Sequence, residues 1–298
     1  MRPLAIDVTT GAPWSWNPVD DLNQLFGFAF MRHAFAAGTA AAIVAGVVGY
    51  FVVLRGLSFA GHSLSTMGFS GATGALVVGV HPLVGLLAVD GAGALLIGAL
   101  ARRARGRDVA VGVVLTGTLG LGLLFLRLYQ AAEAQPVLVG DVLGIDATDV
   151  LITQVAAALI VGLVAVAFRP LLFSSLDEEV AEARGVDTRA MSLLVLLVLA
   201  ATTAIATPIV GVLLTFSLLI APAATASLLS GRPPLAVGLS IALGVLYIWV
   251  GLAVSYWVDF PPSVFVTGLA FLLYAAARLW VALRDRRTPR PSMLATTP

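Results

Sequence analysis

Apolar stretches of 18 or more residues recur along this chain from about residue 34 to residue 283. At a helical rise of about 1.5 Å per residue, each is long enough to cross a hydrocarbon core of roughly 30 Å. Of the 298 residues, 59% are hydrophobic and only 11% charged, whereas an ordinary soluble domain carries about 25% charged residues. A water-facing surface cannot be assembled from that composition. In lipid each backbone N–H and C=O must be satisfied within its own segment, so spans of this length form helices. The fold class follows: all-α, a polytopic membrane helical bundle of about nine transmembrane helices, with eight to ten as the range.

Breakers between the apolar runs set the nine spans at about 34–54, 57–79, 83–101, 108–130, 148–172, 189–207, 209–230, 235–257 and 263–283. Two divisions rest on little: the short gap at Arg55 and Gly56, and the region of Pro208, where one broken span would serve as well as two. Three units result: an external, interfacial segment 1–30 containing Trp14 and Trp16, a transmembrane domain 31–285, and a cytoplasmic tail 286–298. The first segment lacks the apolar centre of a cleaved signal peptide, so the first span is expected to remain in place.

Orientation follows from arginine, which supplies all 17 basic residues. Arg102, Arg103, Arg105 and Arg107 crowd one short connection, and arginine accumulates in short cytoplasmic loops. With that loop inside, nine spans bring 14 of the 17 arginines to the cytoplasmic side, leaving Arg2, Arg32 and Arg127 outside. A net charge of +1 gives no reason to expect nucleic-acid binding.

The absence of cysteine excludes disulfides, thiolate metal sites and cysteine nucleophiles. No P-loop is present, so the chain does not itself hydrolyse ATP. The chemistry left is that of a few polar groups in apolar surroundings. An ionisable group inside a span costs roughly 2.5 to 3.5 kcal/mol on insertion scales and turns toward protein or a watery path. His62 and Asp90 are such groups, with Ser65 and Thr66 one turn from His62. Two readings stand for them: the lining of a cation route, with imidazole and carboxylate as metal ligands, or buried groups paired with hydroxyls and backbone. His81 beside Pro82 reads as a loop residue and His33 as an interface residue. Between spans, the segment 174–189 gathers Asp177, Glu178, Glu179 and Glu182, then Arg184 and Gly185, the charge order of a short capped helix.

Five segments taken together resemble the metal-type permeases of ABC importers. They are Leu54 to Ser65; Arg107 to Val113; Gly140 to Gly144; Leu176 to Glu179 with Ala183 to Val186; and, most specific, Val210 to Ala226. Their order and spacing extend over roughly residues 30–285. The resemblance implies a multi-pass permease of a bacterial inner membrane, paired with a second copy and carrying zinc, manganese or, in some members, iron. It further implies cytoplasmic ATPase subunits that bind the ATP and dock on the segment from Asp177 to Arg189, an external binding protein or lipoprotein that delivers the metal, and no permanently bound cofactor. The chain departs from the family pattern at one point: where an aspartate and, four residues later, a histidine are usual, it has His62 and Thr66. His62 is then the one metal-ligand candidate of that pair, and Asp90 a carboxylate on the neighbouring span. The rival reading is a proton-coupled secondary transporter with His62 and Asp90 as a relay.

Overall fold

In the computed structural model, residues 24–101, 107–128, 144–258 and 260–287 are described. Expectations resting on residues 1–23, on Arg102, Arg103 and Arg105, on residues 140–143 and on residues 288–298 lie outside them. Among the described residues there is no strand. The helices, in chain order, are α1 (Ala29–Leu54), α2 (Ser58–Val78), α3 (Pro82–Leu100), α4 (Arg107–Leu128), α5 (Ala147–Val166), α6 (Phe168–Leu176), α7 (Glu178–Ala183), α8 (Thr188–Val210), α9 (Val212–Leu229), α10 (Pro233–Trp257) and α11 (Pro262–Arg287).

Each expected span overlaps a long helix, and seven of these (α1, α3, α4, α5, α8, α10 and α11) are long and apolar enough to cross a membrane. Two fall short for visible reasons. Helix α2 has the length but carries Ser58, His62, Ser63, Ser65, Thr66, Ser70 and Thr73, and α9 offers a shorter apolar stretch, Leu214–Leu229. The hydroxyls of α2 are accommodated internally: Ser65 donates to the Gly61 carbonyl at 3.0 Å and Thr73 to that of Phe69 at 2.9 Å, while Ser70 reaches the Thr118 carbonyl of α4 at 2.8 Å.

Three breaks depart from or sharpen the expected boundaries. The span expected over 148–172 is two helices, because Pro170 has no N–H for the Val166 carbonyl and its ring crowds that oxygen; α5 stops and α6 starts across Ala167. The division expected near Pro208 falls at Gly211, whose φ of 82° and ψ of 159° suit only glycine. Pro208 stays inside α8. Helices α8 and α9 are therefore joined through a single residue. The short gap after α1 is real: Gly56 at φ 64° turns the chain, and the Leu57 N–H returns to the Val52 carbonyl at 2.8 Å.

Helices α1 and α8 are mostly enclosed, whereas α4, α5 and α11 turn most of their surface outward. Helices α2 and α3 meet backbone to backbone, since a Cβ at Gly71 or Gly85 would run into the other's carbonyl. Hydroxyls tie further pairs, Ser240 of α10 donating to the Gly46 carbonyl of α1 at 2.9 Å. At the start of α5, Asp146 accepts the Asp149 N–H at 2.8 Å, and this bond holds its carboxyl below the usual carboxylate range.

Candidate metal route and coupling segment

His62 sits in the second turn of α2, half-buried, with its ring edge-on to Phe216 of α9 at a centroid separation of 5.0 Å. Thr66, one turn on and also half-buried, donates to the His62 carbonyl at 2.8 Å. That leaves the threonine oxygen free to accept. Continuing the stripe, Phe69 packs against Val212 of α9 and Leu126 of α4. The strip is thus an imidazole and a hydroxyl flanked by aromatic and aliphatic walls.

Ser65 stands apart from it. Its side chain is fully buried and its hydroxyl occupied by the Gly61 carbonyl. Asp90 is also fully buried, with Oδ2 2.9 Å from the Thr203 hydroxyl of α8. Its Oδ1 has no hydrogen-bond partner. The carboxylate rests over Gly68, where an added Cβ would stand 3.3 Å from both oxygens. Six residues at about 100° each set Gly68 about 120° round α2 from His62. The structure therefore gathers His62 and Thr66 on one face and puts Asp90 against another, with Thr203 as its partner. His81 caps α3, its Nδ1 accepting the Leu83 N–H at 3.3 Å, and His33 Nδ1 lies 3.1 Å from the Ile145 carbonyl. Among the described residues no group of three or more histidine and acidic side chains is placed to hold a metal ion.

The segment between α6 and α8 is rigidly built. Asp177 caps α7 by accepting the Val180 N–H at 3.0 Å, and Glu178 and Glu179 occupy its first turn, where negative charge suits the helix dipole. Gly185, at φ 82°, ends the helix, while the Val186 N–H returns to the Ala181 carbonyl at 3.0 Å. Glu182 accepts from the Thr188 hydroxyl at 2.5 Å, and Asp187 caps α8 through the N–H groups of Arg189 and Ala190, both at 3.0 Å. Asp177, Glu178, Glu179, Glu182, Arg184 and Gly185 are all exposed, as are Leu176 and Val180. An acidic helix bearing Val180, with Leu176 just before it, is presented outward on a short, doubly capped hairpin.

Sequence reasoning missed three partners: Phe216 beside His62, Thr203 beside Asp90, and a clamp on Arg55. The Arg55 guanidinium donates to Ser175 at 2.7 Å, Ser174 at 2.6 Å and Ser192 at 3.0 Å, with the Leu171 carbonyl at 3.5 Å. The adjacent serines 174 and 175, and the threonines 202, 203 and 207 in an otherwise apolar span, were the available signals.

The described helices form a bundle with a polar strip on α2 and a capped acidic hairpin between α6 and α8. The model of the ABC 3 transport family matches residues 27–280. The chain belongs to that family, the metal-type permeases its sequence resembles, and is a multi-pass membrane protein. It is 30% identical over 263 residues to the manganese transport system membrane protein MntC of Listeria innocua, covering 88% of this chain and 92% of that one. The high-affinity zinc uptake system membrane protein ZnuB of Buchnera aphidicola is 26% identical over 240 residues, covering 79% and 92%. The solved structure of PsaBC from Streptococcus pneumoniae in complex with a Fab superposes with a TM-score of 0.80 at 25% identity, over 89% of this chain and 99% of that one.

Proposed function

We propose that the chain is the membrane-spanning permease subunit of an ATP-driven importer of a divalent transition-metal ion in a bacterial inner membrane. Manganese and zinc are the first candidates, because relatives along nearly the whole chain are named for them; iron fits the same ligand chemistry. The observation that carries the reading is the family match across residues 27–280. A separate cytoplasmic ATPase supplies the energy and docks on Asp177, Glu178, Glu179, Glu182, Arg184 and Gly185. An external binding protein delivers the metal, and two copies of the chain face each other. Nine membrane crossings, with α2 and α9 shielded by their neighbours, put the acidic hairpin and most arginines on the cytoplasmic side.

In this arrangement His62 is the transient ligand, an imidazole of the kind that suits zinc and iron, and Thr66 a weaker oxygen contact, the donor type that manganese favours. Ser65 and Asp90 brace the helices behind the strip. Sparse coordination suits a conduit, because tight multidentate capture would retain the ion. The test is metal content: cells lacking the chain, grown with a chelator, should hold several-fold less manganese or zinc by elemental analysis, restored by the gene on a plasmid. Unchanged manganese, zinc and iron would overturn the proposal.

A further inference from the structure

Arg55 occupies the point where three parts of the molecule meet. It is the last residue before the Gly56 turn, so it belongs to the end of α1, and α2 begins at Ser58 with His62 one turn further on. Its guanidinium reaches Ser174 and Ser175 on α6, which runs into the acidic hairpin, and Ser192 on α8, which leaves it. Both legs of the hairpin are thus held by one side chain.

The connections on either side of that side chain are stiff. Toward the tip, α7 is capped by Asp177 and tied to the start of α8 by the contact of Thr188 with Glu182. Toward the metal strip, the Gly56 turn is closed by the Gly56 N–H on the Val53 carbonyl at 3.1 Å and the Leu57 N–H on the Val52 carbonyl at 2.8 Å, and Leu57 is buried. The Gly61 N–H then returns to the Leu57 carbonyl at 2.9 Å. No slack loop separates the hairpin from the turn bearing His62. A planar guanidinium offers five donors in a fixed fork, so it registers the relative position of both legs at once, which a lysine ammonium does not.

We infer that Arg55 is a positioning residue that links the hairpin to α2, so that displacement of the hairpin moves the turn carrying His62. This rests on the transport reading above. Removing the link leaves hydrolysis running in the partner ATPase while metal no longer follows it.

The experiment uses the permease purified with its ATPase, reconstituted in liposomes with the external binding protein, and manganous ion as the probe. Uptake and ATP hydrolysis are measured on the same vesicles. Wild-type protein should take up manganese only with ATP; a wild type that shows no ATP-dependent uptake of manganous, zinc or ferrous ion overturns the transport reading itself. In Arg55→Ala the ATP consumed per manganese should rise roughly 10-fold, within the usual range of coupling between sites, with the ATPase still bound. Ser192→Ala, which removes one contact, should shift the ratio the same way by a few-fold, and Arg55→Lys should restore it only in part. A wild-type ratio in Arg55→Ala overturns the inference. Should Arg55→Ala fail to assemble, Ser192→Ala decides, and a wild-type ratio there overturns it equally.

Discussion

A polar side chain on an apolar helix needs a partner, and His62 and Asp90 find theirs in different directions. His62 turns its ring to Phe216 and stays half-exposed, while Asp90 closes onto Thr203 and Gly68 in full burial. Read as letters, the two are simply the ionisable groups of neighbouring spans, and grouping them in one route is natural. Which face each occupies depends on how α2 and α3 cross, and glycines at 71 and 85 settle that crossing. The two residues should therefore respond differently. His62→Ala should lower manganese accumulation by about 10-fold, the scale of one lost charge-stabilising contact, without reducing the amount of protein in the membrane. Asp90→Asn should leave accumulation within about 2-fold, because an amide of the same shape donates to the Thr203 oxygen while that hydroxyl donates to the Ala200 carbonyl. Elemental analysis of cells expressing each variant checks both. A reversed order would put Asp90, not His62, on the route.

Among the helices, the acidic hairpin was readily legible, because capping chemistry is local: Asp177 and Gly185 stand at the start and the stop that the charge order marks. Long apolar helices were equally legible, since lipid leaves the backbone no alternative. Breaks were less so. Pro208 drew attention as a breaker, yet proline is tolerated in the last turn of a buried helix, and the chain turns at Gly211 through a φ that only glycine adopts readily. The contacts of Arg55 were not legible at all, because they join residues more than one hundred positions apart. The hairpin carries its own prediction. Replacing Glu178, Glu179 and Glu182 together by alanine should weaken copurification of the ATPase several-fold while leaving the permease in the membrane, since these side chains are exposed and cross no apolar interior. Undiminished copurification would exclude this surface as the dock.

At the scale of the whole molecule, the physical basis of transport lies in a division of labour. Enclosed helices α1 and α8 hold the bundle, α2 carries the polar strip on a helix too hydroxyl-rich to face lipid comfortably, and the capped hairpin stands at the end where α1 and α8 are joined through Arg55. Family and fold identify a permease, whereas the energy source distinguishes the proposed importer from a proton-coupled carrier built on the same polar groups. Reconstituted vesicles separate these directly. The permease with its ATPase and binding protein is supplied with manganous ion, once with ATP and no proton gradient, once with a proton gradient and no ATP. The account predicts manganese uptake in the first condition and none in the second. Uptake driven by the gradient alone would contradict it.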